Sequence, residues 1–237
     1  MNQLSTAASG LSGDPRAPGS RVDAAYQELR RRILSGSLPP GFQALEPRLA
    51  DMLGMSRTPI REALVRLVED GLIELRPRRG MRVLPLSARD VTEIEAVLAC
   101  LVAEAAETIA RRGLTLSEMA ELDDAVAAMD VAVAAGDTAR WAAADERFHR
   151  RLIALADNRR MTAIAGPMLD RAARVRGLVA ARIVGTTPDA APAALIEALR
   201  RGDPEMALEI LRGQRRRRRR LLDALLPTLD LDRPAAS

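Results

Sequence analysis

Two arginines near the start of an amphipathic segment are spaced to bind an anionic partner. The segment MSRTPIREAL covers residues 55–64, and Arg57 and Arg61 lie four positions apart within it. On an α-helix this spacing separates the two side chains by about 40°, so both guanidinium groups share one face. A guanidinium group can bind a phosphate, or it can contact the O6 and N7 atoms of a guanine together. The pair therefore indicates an anion-binding helix, with a solvated helix face as the alternative.

The same segment carries the signals of a helix start. Ser56 or Thr58 can cap the first turn through its hydroxyl oxygen, and Pro59 falls where a missing backbone N–H costs little. The opposite, apolar face of this helix is predicted to consist of Ile60, Ala63, Leu64, Leu67 and Val68. The two arginines are therefore expected near the N-terminus of a helix whose other face packs into a core.

A second pair, Asp145 and His149, is also spaced to share one helix face. A carboxylate and an imidazole can hold a ligand, transfer protons or hydrogen-bond to each other. His149 is the only histidine in the chain, and the sequence offers this pair no catalytic partner. No Walker loop, dinucleotide fingerprint or metalloprotease motif occurs either. The chain is therefore not expected to be an enzyme.

Six consecutive arginines, Arg215 to Arg220, follow directly after Gln214. Six neighbouring residues cover every face of a helix, so the run cannot form a single patch. Arg217 and Arg218 lie within about 60° of Gln214 around the helix, and these two arginines could face the protein interior with it. The other four are expected to be solvated, with nucleic-acid binding by the run as the alternative.

The N-terminal third contains the elements that would position the first arginine pair. A helix is predicted over about 22–34, a short helix over 46–53, a turn at Gly54, and then the arginine-bearing helix. Residues 72–86 alternate between apolar and polar side chains around a turn at 77–80, which predicts a hairpin. Together these elements form a winged helix-turn-helix, in which the second helix enters the major groove of DNA and a basic hairpin can reach the minor groove.

The positive charge of the chain is concentrated in this part. Residues 1–86 hold 13 arginines and 9 acidic residues, whereas residues 87–237 hold 23 of each. A local excess of arginine is typical of a nucleic-acid-binding surface. Within the hairpin the excess comes from Arg76, Arg78, Arg79 and Arg82. These four can also be a charged edge that blocks strand pairing. Residues 1–20, rich in Ser, Gly, Ala and Pro, are predicted to be a disordered tail, and the DNA-binding domain to span 21–86.

The remaining residues, 87–230, are predicted to form an all-α antiparallel bundle. Ser87 and Asp90 resemble a capping box, and Gly113 ends the first helix of this part. The following helices are expected at about 116–135, 138–156, 160–183, 190–201 and 204–226, the fourth of them kinked at Gly166-Pro167. Short connections between them favour antiparallel neighbours. The fold class is therefore mostly α.

Cysteine usage and hydropathy restrict the environment of the chain. Cys100 is the single cysteine, so no intramolecular disulfide can form, as is usual for cytoplasmic proteins. The first twenty residues lack the basic and apolar regions of a secretory signal. No apolar stretch reaches the roughly 18 residues of a transmembrane helix. A cytoplasmic protein without a membrane partner is expected.

Residues 33–83 closely resemble the DNA-binding domain of GntR-family bacterial transcription regulators. The resemblance lies in the entry GSLPPG, the segment LADMLGMSRTPIREAL, the turn LVEDGL and a wing ending in RRG. It implies that Arg57, Thr58, Arg61 and the wing glycine Gly80 contact operator DNA, with Arg78 and Arg79 beside that glycine. The family often has an arginine where this chain has Pro47, so the adjacent Arg48 is a further candidate.

Residues 87–230 resemble the FCD effector-binding domain of the FadR-like GntR branch, through DERFHRRLIALADN (145–158) and LIEALRRGDPEMAL (195–208). Many such domains bind a divalent metal through one aspartate and three histidines. Asp145 and His149 match the first two ligands, whereas Pro192 and Gln214 stand at the other two positions. Leu98 and Val102 replace two polar residues that are frequent in the family. One carboxylate, one imidazole and one amide are a poor transition-metal set, so no metal is expected.

The resemblance implies a homodimeric transcription regulator that binds a short pseudo-palindromic operator. The FCD-like bundle implies a small effector, here an organic acid or amphipathic metabolite that releases a repressor from double-stranded DNA. Its expected ligand-binding residues are Asp145, His149, Gln214, Arg217 and Arg218. The alternative is a dimeric DNA-binding protein whose bundle serves assembly only.

Overall fold

The computed structural model describes residues 19–183 and 190–228. Apart from Gly19 and Ser20, the predicted disordered tail lies outside these residues. The elements are α1 (Arg21–Leu34), β1 (Gln43–Ala44), α2 (Glu46–Leu53), α3 (Arg57–Glu69), β2 (Ile73–Arg76), β3 (Gly80–Val83), α4 (Ala88–Arg112), α5 (Leu116–Ala135), α6 (Thr138–Leu155), α7 (Arg159–Ile183), α8 (Ala191–Arg200) and α9 (Pro204–Leu225), followed by a 3-10 turn at Leu226–Thr228. The mostly α fold class is confirmed.

The first helices and the sheet form a winged helix, named here for residues 21–83. The sidechain of Ser20 caps α1 by accepting a hydrogen bond from the Asp23 N–H at 3.0 Å. Gly54 ends α2 in the left-handed conformation, φ 63°, which turns the chain into α3. The core of this unit is built from apolar side chains of all three helices and the sheet, among them Leu29, Leu49, Leu64 and Met81. The predicted helix-turn-helix is therefore present.

The hairpin belongs to a three-stranded sheet, because a strand that the sequence pattern does not reveal joins it. β3 lies between β2 and β1 and is antiparallel to both. The register pairs Ile73 with Val83 and Leu75 with Met81. Leu75, one of the apolar positions of the alternating pattern, is exposed. β1 lies directly before α2, so its pairing with β3 holds the wing against the start of that helix.

Helices α4 to α9 form the bundle, named here for residues 88–225. The capping box predicted at its start is present: the Ser87 hydroxyl accepts from the Asp90 N–H, and the Asp90 carboxylate accepts from the Ser87 N–H. All six predicted helices lie within one or two residues of their expected bounds, and α7 continues through Pro167. The bundle core is aliphatic, with Trp141 and Phe148 as its aromatic members.

An ion-pair cluster joins the winged helix to the bundle. Arg30 of α1 donates from Nε to Asp170 of α7 at 2.6 Å and from Nη2 to Glu146 of α6 at 2.9 Å. Arg150, one turn further along α6, contacts both carboxylates as well. Asp170 is among the few buried charged residues. Because three residues connect β3 to the helix cap at Ser87, this junction cluster and the short linker together tie the two units to each other.

Candidate DNA-binding surface and ligand cavity

The predicted DNA-binding side chains at the start of α3 are exposed. Arg57, Thr58 and Arg61 all lie on the surface, and within the described residues neither arginine forms an ion pair. Ser56 occupies the N-cap, but its side chain makes no capping hydrogen bond, so the expected hydroxyl cap is wrong. Val68, expected on the buried face, is exposed. The unpaired first-turn N–H groups and two unengaged guanidinium groups leave the N-terminus of α3 open to an anion.

Arg66, on another face of the same helix, is engaged inside the winged helix. Its Nη2 lies 3.3 Å from the Asp23 carboxylate, and its guanidinium lies 3.8 Å from the centre of the Tyr26 ring. Such a cation–π contact combined with an ion pair fixes the side chain against α1. Arg66 is therefore structural, in contrast to the two arginines at the start of α3.

The four wing arginines fall into two pairs. Arg76 and Arg82 both contact Glu74, at 2.7 and 3.2 Å, and so neutralise a carboxylate on the sheet. Arg78 and Arg79 lie in the turn between the strands, where both are exposed and form no ion pair within the described chain. The positive charge at the wing tip that remains for a partner thus comes from Arg78 and Arg79, the pair predicted to contact DNA.

Position 80 requires glycine for a structural reason that the sequence alone does not show. Its φ is 75°, and a Cβ at this position would lie 2.2 Å from the Ala44 carbonyl oxygen and 2.8 Å from the Leu45 Cα. Only glycine permits so close an approach of β3 to the chain before α2. A DNA contact by Gly80 remains a prediction. Nearby, the exposed Arg48 places its guanidinium 5.5 Å from the centre of the Phe42 ring.

A cavity of about 680 Å³ lies within the bundle and is lined by residues of all six of its helices, α4 to α9. All five predicted ligand-binding residues line it: Asp145, His149, Gln214, Arg217 and Arg218. Arg218 is half-buried and its Nε lies 2.9 Å from the Glu95 carboxylate, whereas Arg217 is exposed at the rim. Leu98 and Val102 form part of an apolar wall, as expected. The four other arginines of the run are exposed or nearly so, as predicted for a solvated face.

His149 contacts both the backbone and the carboxylate of Asp145. The His149 Nδ1 lies 2.8 Å from the backbone oxygen of Asp145 and 3.5 Å from its carboxylate, so Nδ1–H donates to the backbone and Nε2 is left as an acceptor. Burial lowers the pKa of His149, and the nearby Arg176 and Arg218 lower it further against the opposing effect of Asp145. The imidazole is therefore neutral at pH 7. Burial opposes ionisation of Asp145 as well, but its interactions with His149, Arg176 and Arg218 outweigh burial and hold the pKa of its carboxyl below the ordinary value.

The most deeply buried charged residue of the cavity, Arg176 on α7, was not predicted from the sequence. It is 2% exposed, and its Nε lies 3.0 Å from the Asp145 carboxylate oxygen Oδ2. The Nη1 atom has no hydrogen-bond partner among the described residues. Burial lowers the pKa of this guanidinium, with Asp145 acting in the opposite direction. A signal was present: Arg176 continues the buried stripe of Leu169, Ala172 and Ala180, where an apolar residue is expected.

The residues of the cavity do not fit the metal that many FCD domains bind. Pro192 and Gln214 lie in the same cavity as Asp145 and His149, so the four positions of the family's ligand set do come together. Two of them, however, offer no imidazole. The buried Arg176 also places a positive charge against the one carboxylate. Within residues 19–183 and 190–228, no group of three or more His, Cys, Asp or Glu side chains is arranged to hold a metal ion.

A winged helix followed by a helical bundle with an internal cavity defines a two-part DNA-binding transcription regulator. Residues 21–83 match the family of bacterial regulatory proteins called gntR, and residues 90–214 match the FCD domain. The chain therefore belongs to the GntR family and carries an FCD domain. In the part of the chain that the structure describes, no helix is long and apolar enough to cross a membrane.

Relatives from several bacteria show the same type of protein. An uncharacterized HTH-type transcriptional regulator from the TAR-I ttuE-ttuC' intergenic region of Agrobacterium vitis is 43% identical over 148 residues, which is 62% of this chain and 86% of the relative. A probable D-xylose utilization operon transcriptional repressor of Paenarthrobacter nicotinovorans is 29% identical over 175 residues, 74% of this chain and 76% of that protein. The solved structure of E. coli McbR/YncC has the same fold, with a TM-score of 0.74 at 22% identity over 86% of this chain and 98% of that one.

Proposed function

We propose that this regulator is a cytoplasmic homodimeric repressor that leaves its operator when a small organic anion binds in the bundle cavity. The observation that carries the effector part is the buried Arg176, a fixed positive charge with an unsatisfied donor at the cavity wall. A buried polar group without a hydrogen bond is destabilising, so a ligand that supplies an acceptor gains that free energy on binding. The protein needs no enzymatic activity for this function.

The DNA-binding part of the proposal rests on the arginines that the fold leaves unengaged. Arg57 and Arg61 at the start of α3 and Arg78 and Arg79 at the wing tip form no ion pairs within the described chain. One winged helix reads few base pairs, so a homodimer on a pseudo-palindrome gives useful specificity. The likeness to a D-xylose operon repressor supports repression as the direction of control.

The charge of the cavity supports an anion as the effector. Its lining includes six arginines and four acidic residues, and the neutral His149 adds no charge. Three of the acidic residues, Asp145, Glu95 and Asp223, are already paired with arginines of the cavity. A metal ion would meet a positive wall, so we propose that effector binding needs none. Protein purified without chelators should hold no stoichiometric zinc, nickel or manganese by elemental analysis, and metal that is lost in Asp145→Ala would refute this part.

A single series of experiments tests the function. A duplex selected by the full chain from a random library serves as the operator, and light scattering gives the oligomeric state. Fluorescence anisotropy on that duplex is then measured with a panel of mono-, di- and hydroxycarboxylic acids. At least one acid should weaken operator binding and raise the Tm of the free protein. If no acid does either, the bundle serves assembly only, and the effector part of the proposal is wrong.

A further inference from the structure

The cavity wall combines charged and apolar side chains, and this deepens the proposed function by restricting the effector. Arg176, Arg218, Gln214 and His149 line the cavity, and four further arginines, Arg212, Arg215, Arg217 and Arg219, line it as well. Most of the other lining residues are aliphatic or aromatic, with Leu98, Val102, Val126, Met129, Val133 and Phe148 among them. A ligand that contacts both kinds of side chain must itself have a polar group and an apolar body.

Arg176 is a guanidinium group of the cavity wall whose charge is compensated but whose hydrogen-bonding capacity is not. Asp145 approaches Arg176 from the Nε side at 3.0 Å, yet neither that Nε nor the facing Oδ2 makes a hydrogen bond of acceptable geometry. Nη1, on the other side of the group, has no partner among the described residues. A guanidinium has five N–H donors in a planar fork that matches a carboxylate. The edge that carries Nη1 is thus the part of the fork that a second carboxylate can engage.

The neighbouring charges do not compete for this edge. Arg218 is held by Glu95 at 2.9 Å, so it contributes positive potential without leaving its own partner. His149 keeps its Nδ1–H on the backbone oxygen of Asp145, so its Nε2 is an acceptor and not a second donor. Gln214 adds an amide that can donate to the second carboxylate oxygen. Arg176 is therefore the charged donor best placed to bind a single anionic group.

The wall around Leu98 and Val102 favours an apolar ligand body. A hydroxyl or a second carboxylate placed against either residue would lose its hydration without gaining a hydrogen bond. A methylene chain or an aromatic ring at the same place gains by leaving water. A ligand that lies along this part of the wall is therefore favoured when it carries one carboxylate and an apolar body.

We propose that Arg176 is the receptor for the carboxylate of a small monocarboxylic acid, whose apolar body lies along the Leu98 and Val102 wall. This inference rests on the proposed function, since it names the class of effector and the residue that recognises it. Octanoate is the probe, octanamide is its uncharged counterpart of the same shape, and succinate has two carboxylates and little apolar surface. Binding to the full chain is measured by calorimetry and by fluorescence of Trp141, which lines the cavity.

Octanoate should bind about 10- to 100-fold more tightly than octanamide, since hydrogen bonds to a charged group carry that difference. Succinate should bind at least about tenfold more weakly than octanoate. Arg176→Gln should remove the preference for octanoate over octanamide, and Arg176→Lys should restore part of it. Arg216→Gln is the matched control, because that arginine is exposed and absent from the cavity wall, and it should leave all three affinities unchanged.

Several results would overturn the inference. Equal affinity for octanoate and octanamide in the wild-type chain would show that no charged group receives the carboxylate, and this comparison needs no folded variant. Unchanged octanoate affinity in Arg176→Gln would move recognition to another arginine. Tighter binding of succinate than of octanoate would refute the inference that the ligand has an apolar body. In each case the proposed function survives if some acid still releases the operator, whereas failure of every acid to affect DNA binding refutes the proposed function itself.

Discussion

Replacing Arg30 by methionine should destabilise the protein by about 2 kcal/mol. Removing one partner of a buried ion pair costs roughly 3–5 kcal/mol, because the remaining charge stays buried without compensation. Here the side chain of Asp170 is 4% exposed and that of Arg30 is 17% exposed, which places the pair near that range. The loss is reduced because Arg150 continues to contact Asp170. Methionine keeps the apolar stem of Arg30, so the change isolates the charge.

The transition is best followed through Trp141, the single tryptophan of the chain, which lies in the bundle core. For a chain of this size a loss of 1 kcal/mol lowers Tm by about 2–4 °C, so Arg30→Met should lower it by about 4–8 °C. Arg31→Met is the matched control, since Arg31 pairs with Glu28 on the same helix but its side chain is 63% exposed. Exposed pairs contribute about 0–1 kcal/mol, so the control should change Tm little.

Equal Tm values for Arg30→Met and Arg31→Met would refute the reasoning. That outcome would mean that the junction cluster contributes no more than a surface pair, and that the two units are held together by the linker and apolar contacts alone. The unfolding midpoint could also fall in the winged helix, which contains Tyr26, while the midpoint followed through Trp141 stays unchanged. That result would show that Arg30 stabilises its own unit and not the junction.

Three further predictions concern the DNA-binding surface and the cavity. Arg57→Ala and Arg61→Ala should each weaken operator binding in an anisotropy titration by about 1–3 kcal/mol without changing Tm, whereas Arg89→Ala, a control on an exposed arginine of α4, should do neither. Gly80→Ala should lower the free energy of unfolding in urea by more than about 2 kcal/mol, because its Cβ would meet the Ala44 carbonyl and its φ is positive; wild-type stability would disprove the close approach. The single histidine, His149, should titrate by NMR with a pKa below its ordinary value. Because folding favours the neutral form, this residue contributes stability above about pH 6.5. That contribution is lost as the pH falls through the lowered pKa. A normal or raised pKa would contradict the burial of the ring beside Arg176 and Arg218.

The helices were predictable because local signals and apolar periodicity agree along most of the chain. The apolar spacing over α1 and the capping box at Ser87 each identify a helix without reference to the rest of the fold. The positions of Asp145 and His149 in one cavity followed from a resemblance and from the i, i+4 rule. These features depend on residues that are close in sequence.

The features that sequence reasoning missed depend on distant contacts. β1 has only two residues, so no alternation identifies it, and it exists because β3 pairs with it from 37 to 39 residues away. Arg176 is buried opposite a carboxylate on another helix; the apolar stripe of α7 shows that its position faces inward, but it does not identify this partner. Val68 was predicted inside from its helical phase, yet it is exposed in the fold.

Helix α6 alternates between two environments along its length. Asp145 and His149 face the cavity, while their next neighbours, Glu146 and Arg150, belong to the cluster that holds Arg30. A ligand that shifts α6 from one side therefore acts on the winged helix from the other. Thermodynamic linkage requires such coupling to be reciprocal, so operator DNA must change the affinity for the ligand by the same factor as the ligand changes the affinity for DNA. The ligand concentration at which the protein responds would then depend on whether the protein is bound to its operator or free.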